Sequence, residues 1–124
     1  MKPRKKILFL EDEVELLSTV GLVLREKGYE VLEVKSAEDA LKMLKKSPPD
    51  LILADIKLPG IDGLDFFQQV RLDEQSKRIP FVFLTAFNNL SAAINAKKQG
   101  AADYITKPFE FEHLIARVRE LLPP

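Results

Sequence analysis

Glu11-Asp12, Asp55, Thr85 and Lys107 are far apart in the chain, yet each follows a short strand-like run, apolar in the first three and partly polar in the last. Ile7–Leu10 stops at Glu11-Asp12-Glu13. Leu51–Ala54 stops at Asp55, Ile79–Leu84 stops at Thr85-Ala86, and Ala102–Thr106 stops at Lys107-Pro108. A carboxylate inside a buried strand costs several kcal/mol, roughly, unless it is paired. Asp55 is therefore expected where its strand emerges. If the four strands share one parallel sheet, their carboxyl ends form one rim, where open α/β sheets bind ligands. Three carboxylates gathered there repel one another unless a cation is present. An oxygen-only set suits Mg²⁺, which takes one or two carboxylates and leaves positions for substrate oxygens. A hydroxyl and an ammonium opposite them would complete a cradle for a phosphoryl group. Taken alone, Asp55 could equally cap a turn; the four matching strand ends favour the chemical reading. The single histidine, His113, falls in the last helix and is expected at the surface, which disfavours zinc chemistry.

The elements that must position these groups alternate strictly between strand and helix. A helix from Val14 to about Lys27 ends at Gly28, with Leu16, Val20, Val23 and Leu24 at helical spacing toward the sheet. Tyr29–Lys35 reads as a strand whose charges, Glu30, Glu33 and Lys35, suit an edge. Ser36 opens a second helix that stops before Pro48-Pro49. Gly63–Asp73 forms a third, with Leu64, Phe67 and Val70 inward; Asn88 or Asn89 caps a fourth, running to Gln99. The last helix, Glu110–Leu122, buries Leu114, Ile115, Val118, Leu121 and Leu122. Five βα units with short connections predict a doubly wound, five-stranded parallel sheet of the flavodoxin-like type. The first, third and fourth strands are the most apolar, and the order 2-1-3-4-5 places them in the middle.

Length and composition bound the rest. The 124 residues make one domain, 1–124, with 46% hydrophobic and 31% charged residues. Nineteen basic and nineteen acidic side chains cancel, against broad binding to nucleic acid or to an anionic membrane. Cysteine is absent, so there is no disulfide framework, in keeping with a reducing cytoplasm. The basic N-terminus (Lys2, Arg4, Lys5, Lys6) precedes an apolar run too short for a signal peptide, and no stretch approaches the roughly 20 residues of a membrane span. A soluble, cytoplasmic protein is expected.

In these residues the whole chain resembles the receiver domain of bacterial two-component response regulators, the group that includes the chemotaxis regulators. Glu11-Asp12 resembles the family's acidic pair, Asp55 its phosphoacceptor, Thr85-Ala86 its hydroxyl and small residue, and Lys107-Pro108 its lysine with a cis-prolyl bond. Tyr104 falls on the aromatic switch position. The resemblance implies a phosphorylation-driven switch, not an enzyme, that catalyses only its own phosphoryl transfer and autodephosphorylation. Asp55 would attack a phosphohistidine of a sensor histidine kinase or phosphotransfer protein. Mg²⁺ would be held by Asp12, Asp55 and the backbone carbonyl of Lys57, with Glu11 acting through a water. Lys107 would pair with the carboxylate and then the phosphoryl oxygens, and Thr85 would bond the product and free space for Tyr104 to turn. Two positions depart from strong water-positioning types: Lys57 and Phe87 are expected to lengthen the phosphoryl lifetime. Glu11, one methylene longer than the commoner Asp, reaches the metal less surely.

Rival functions are weaker. An aspartyl-phosphate phosphatase shares Asp, Mg²⁺ and Lys, but its second acid would stand where Lys57 is, and the chain has little length for a substrate cap. A flavodoxin-like cofactor binder lacks its Gly- or Ser/Thr-rich phosphate loop after the first strand. A receiver that only binds partners would not need the complete cradle. Val14, Leu17 and Gly21 form a second stripe on the first helix, which is either the margin of a wide core stripe or, as proposed here, a surface that docks a kinase helical bundle. The chain carries no effector domain and is expected to be either a stand-alone receiver or a fragment of a longer regulator, with output through a downstream effector or an output domain. Asp103 and Arg117 resemble one ion pair of the dimer face of winged-helix regulators, while Ala93 and His113 lack another, so a phosphorylation-dependent homodimer is a further expectation.

Overall fold

The computed structural model describes residues 3–123; Lys2 of the basic N-terminus and the terminal Pro124 lie outside them. Five strands alternate with five α-helices: β1 Lys6–Leu10, α1 Val14–Glu26, β2 Glu30–Val34, α2 Ala37–Lys46, β3 Leu51–Asp55, α3 Gly63–Leu72, β4 Phe81–Ala86, α4 Leu90–Lys98, β5 Asp103–Lys107 and α5 Phe111–Leu121. All neighbouring strands are parallel, in the order β2-β1-β3-β4-β5. The charged β2 and partly polar β5 are the edges, as their composition predicts.

Strand side chains alternate between faces, so each central strand feeds two cores. Leu8, Leu10, Ile52, Ala54, Phe81 and Phe83 pack against α2, α3 and α4. Ile7, Phe9, Leu51, Leu53, Val82 and Leu84 pack against α1 and α5. Covering both faces is what permits β1, β3 and β4 to be continuous apolar runs. Under α3 the rings of Phe67 and Phe81 meet edge-on at 5.0 Å, and Phe67 meets Phe83 at 5.4 Å. Such ring pairs add about 0.5–1.5 kcal/mol each beyond their buried area.

Local signals set the helix ends. Ser36 accepts from the Asp39 N–H at 3.1 Å, and Asp62 from the Asp65 N–H at 2.9 Å; each cap satisfies an otherwise orphaned donor. Gly28, at φ 100°, takes the left-handed turn that ends α1.

Several boundaries differ from the sequence reading. Strand β4 begins at Phe81 because Pro80 has no N–H to give, while its carbonyl accepts from Ile52 at 2.9 Å. The strand then continues through Thr85 and Ala86, which pair with Thr106 and Lys107. A 3₁₀ turn over Phe87–Asn89 precedes α4, and Asn89 makes no side-chain cap. In α3 the inward residues are Phe66, Phe67 and Val70; Leu64 is only half-buried.

The largest correction concerns α1. Its buried face is Leu17, Val20, Gly21 and Leu24, with Leu16 and Val23 at the margins. Positions 17, 20, 21 and 24 are an i, i+3, i+4, i+7 set, one residue out of phase with the predicted stripe. Leu17 is 3% exposed and packs with Ile7 and Phe9 in the core. At Gly21 a Cβ would meet the Glu33 carboxylate, which is tied to Arg25 at 2.6 Å. Neither residue can be offered to a partner. Of the proposed docking set, only Val14 is exposed.

Candidate phosphoryl-transfer site

Parallel strands end together, and here β1, β3, β4 and β5 bring the predicted residues to one rim. Glu11 follows the last residue of β1, Asp55 ends β3, Thr85 is the penultimate residue of β4, and Lys107 ends β5. The Lys107 ammonium lies between two carboxylates, donating to Glu11 Oε1 at 2.8 Å and Asp55 Oδ2 at 3.0 Å. Asp55 Oδ1 accepts from the Ile56 N–H at 2.7 Å, and Glu11 Oε2 from the Glu13 N–H at 3.2 Å. Glu11 and Asp55 are buried; Asp12 is exposed. Among the described residues Asp12 makes no hydrogen bond or ion pair through its carboxylate.

One ammonium does not satisfy this much negative charge. Burial pushes the Glu11 carboxyl above its ordinary value, and the Asp55 charge adds to the rise, although the Lys107 bond opposes both. Burial alone would lower Lys107, but the bonds to Glu11 and Asp55 win and hold its ammonium above the ordinary range. Single carboxylate oxygens of Glu11, Asp12 and Asp55 lie within 4.8 Å of one another. Such an oxygen-only, net-negative set fits a hard divalent cation and offers nothing to a soft metal.

The loop after Asp55 is fixed by a contact the sequence did not signal. Gly63, the first residue of α3, donates its N–H to the Ile56 carbonyl at 2.8 Å. A Cβ there would collide with the Asp55 carbonyl oxygen, so the helix can close on β3 only with glycine. The one sequence hint was a glycine at a helix start, where it is otherwise a weak helix former.

The remaining predicted positions separate into two groups. Thr85 is fully buried, and its hydroxyl donates to the Ala86 carbonyl at 3.0 Å. Tyr104, half-buried on β5, lies with the Lys97 ammonium 5.9 Å from its ring centroid. Lys57 and Phe87 are exposed, Phe87 to 79%. The Lys107–Pro108 peptide bond is cis. Beside it Glu13, Leu16, Lys107, Pro108, Phe109 and Phe111 line a shallow, mainly apolar depression.

Away from the rim, Asp103 accepts from Arg117 Nε at 2.6 Å, Lys97 Nζ at 3.3 Å and the Tyr104 N–H at 2.8 Å. The pair expected on a dimer face is thus closed within one chain. His113 is exposed on α5, as expected, and Ala93 is buried on the inner face of α4.

Residues 7–119 match the family model of the response regulator receiver domain. The chain is 35% identical over 118 residues to the phosphate regulon transcriptional regulatory protein PhoB of Escherichia coli K12, covering 95% of this chain and 52% of that protein. It is 36% identical to the DNA-binding dual master transcriptional regulator RpaA of Synechocystis, covering 94% and 48%. The chain therefore spans about half the length of these regulators. Among solved structures, a Chloroflexus aurantiacus protein described as a response regulator superposes with TM-score 0.91 at 38% identity, over 98% of this chain and 100% of that one. The chemotaxis response regulator CheY4 of Vibrio cholerae gives 0.89 at 28% identity, over 97% and 100%.

Proposed function

Because the chain belongs to the response regulator receiver domain family, whose members are phosphoacceptor signalling domains rather than enzymes acting on an outside substrate, we propose that Asp55 takes the phosphoryl group. The observation that carries this reading is the Glu11–Lys107–Asp55 arrangement, in which the Asp55 carboxylate ends a buried strand against an ammonium. An Asp55 oxygen attacks the phosphorus of a kinase or phosphotransfer-protein phosphohistidine. The phosphorus–nitrogen bond breaks, and its electron pair leaves on the imidazole. Lys107 neutralises charge that passes from the donor to the phosphoryl oxygens. Asp12, Asp55 and the Lys57 carbonyl would hold Mg²⁺, which when bound neutralises further phosphoryl charge. Thr85 supplies a hydroxyl for the product; its present acceptor is only a neighbouring carbonyl, so it is free to exchange partners.

Residues 1–124 act as one receiver unit in the cytoplasm. The kinase seats on the depression at Leu16, Pro108 and Phe109, with exposed Val14 at its side, because this apolar surface adjoins Lys107. Phosphorylation adds roughly −1.5 to −2 charges. Thr85 moving toward them would let Tyr104 turn and reshape the α4–β5–α5 face toward an effector, an output domain or a second copy. Lys57 and Phe87 are both exposed; they would prolong the phosphoryl group before autodephosphorylation only by folding over it, and neither is a strong water-positioning group.

Incubation with acetyl phosphate and Mg²⁺ tests the class of function. A stoichiometric, acid-labile adduct is expected. Continuous phosphate release without an adduct would instead indicate a phosphatase, and no reaction would indicate a partner-binding domain.

A further inference from the structure

Helix α4 is held very differently at its two ends. Its only buried residues are Ala93 and Ala96, so little apolar surface is committed beneath it. At its N-terminal end Asn89 makes no side-chain cap, and among the described residues no side chain of residues 87–95 makes a hydrogen bond or ion pair. The C-terminal end is tied on both sides. Lys97 Nζ reaches Asp103 Oδ1 on β5 at 3.3 Å. From α3, Gln68 Nε2 donates to Gln99 Oε1 at 2.8 Å. Gly100, at φ 117°, closes the helix, and the Arg71 guanidinium fills the space where its Cβ would be. Arg71 lies in turn over the Phe67 ring at 5.5 Å, and that ring is packed edge-on against Phe81 and Phe83. From this asymmetry we infer that Gln68 and Arg71 of α3 latch the C-terminal end of α4, so that the helix answers phosphorylation only by swinging its N-terminal end. The inference rests on Asp55 being the phosphoacceptor and on Thr85 responding to it.

Thr85 and Ala86 end β4, and the chain runs from them directly into the 3₁₀ turn and α4. A shift of Thr85 toward the phosphoryl oxygens therefore pulls on the N-terminal end of the helix. Two buried alanines resist that pull weakly, because segments with few buried apolar contacts move at low cost. A helix free at both ends would slide along the sheet. One latched at Gln99 and Gly100 pivots there. Its 9 residues, at about 1.5 Å each, form a lever about 13 Å long. A small displacement at Ala86 thus changes how Phe87 and Ile94, both exposed, are presented, while Lys97 stays on Asp103. Helix α3, although outside the α4–β5–α5 face, becomes part of the switch.

A double variant of the full chain, Gln68→Ala with Arg71→Ala, removes the latch. Both side chains are exposed and alanine is a strong helix former, so α3 should keep its fold. Gln69→Ala, at the neighbouring exposed position, is the control. The amides of Gln99, Gly100 and Ala101 donate to the carbonyls of Asn95, Lys97 and Ala96 and report the latched end. Before any phosphoryl donor is added, their hydrogen exchange, followed by NMR, should be about fivefold faster in the double variant, as for the loss of roughly one net hydrogen bond. Gln69→Ala should exchange as wild type does. With acetyl phosphate and Mg²⁺, wild-type amide resonances should shift at residues 87–93 and stay in place at 99–101. In the double variant the shifts should extend through 99–101. Equal exchange at the three amides in wild type and double variant would show that α3 does not hold α4, and the inference fails. It fails too if labelled wild type shifts at 99–101 as far as at 87–93. If the wild type takes no phosphoryl group, the phosphoacceptor reading and the pivot fail together, and the exchange comparison alone decides whether the latch exists.

Discussion

Two ion-paired clusters on this molecule are built in opposite proportions. At the strand-end rim two buried carboxylates, Glu11 and Asp55, share one ammonium, and exposed Asp12 adds a third negative charge. On the β5–α5 side one carboxylate, Asp103, is shared by Lys97 and Arg117, and Arg117 also pairs with Glu120. The consequences run in opposite directions. Burial holds Glu11 above its ordinary value despite its cationic partner. Burial also opposes ionisation of Asp103, but the Tyr104 N–H and its two cations overcome it and hold the carboxyl low. The Asp103 cluster, two cations with two carboxylates, ends up neutral. The rim is left short of positive charge, as expected of a site that awaits a cation and a phosphoryl donor.

Removing the central cation from each cluster should show the largest contrast. Lys107→Ala strands two buried carboxylates and should lower stability by about 3–5 kcal/mol, the usual range for breaking a buried pair. Arg117→Ala leaves the part-buried Asp103 with Lys97 and a backbone N–H, so no carboxylate is stranded, and should cost less, about 1.5–3 kcal/mol, as for one hydrogen bond to a charged group. Urea unfolding of the two variants decides it; equal losses would erase the distinction.

A second contrast comes from Mg²⁺. Selective binding to the folded rim should raise stability by about 2.7 kcal/mol when the ion is at 100 times its dissociation constant. Asp12→Asn should lose most of that gain, whereas Asp103→Asn should keep it. Thermal melts with and without Mg²⁺ measure both, and an equal Mg²⁺ response in the two variants would contradict the assignment.

The smallest expected effect is in pH, and its signs are opposite. Glu11 binds its proton more tightly when folded, so its contribution is fully present below its ordinary value of 4.5 and is lost as pH rises through the raised folded value. Asp103 binds its proton less tightly when folded. Its contribution is present above its ordinary value of 3.8 and is lost as pH falls through the lowered folded value. Glu11→Gln should therefore flatten the fall in stability above pH 4.5, and Asp103→Asn should flatten the rise above the lowered value. Denaturation midpoints collected from acid to neutral pH test the two slopes.

Which of these features could be read from the sequence follows from their physical range. Asp55 and Thr85 were legible because each ends an apolar run, Lys107 because it ends a partly polar strand just before Pro108, and parallel topology does the rest. The β2 edge was legible from Glu30 and Glu33, and the β5 edge from its partly polar run. The phase of α1 was not: Leu16, Leu17, Val20, Gly21, Val23 and Leu24 cover a wide apolar arc, and only packing against Ile7 and Phe9 chooses its centre. Gly21 belongs to the core because Glu33 and Arg25 close over it, a contact between elements that periodicity does not encode. The direct Glu11–Lys107 bond depends on how side chains from the ends of β1 and β5 meet across β3 and β4, and the Gly63–Asp55 approach on how α3 closes against β3. The Asp103–Arg117 pair was legible as two residue types, but only the folded structure shows that they meet within one chain.

The rim's excess of negative charge has a use only if Asp55 receives phosphate, and peptide mapping tests that most directly. Wild-type protein exposed to acetyl phosphate and Mg²⁺ should carry one hydroxylamine-labile phosphoryl group per chain, on the peptide containing Asp55. Asp55→Asn, still folded by circular dichroism, should carry none. A phosphoryl group mapped to any other residue, or undiminished labelling of Asp55→Asn, would contradict the assignment.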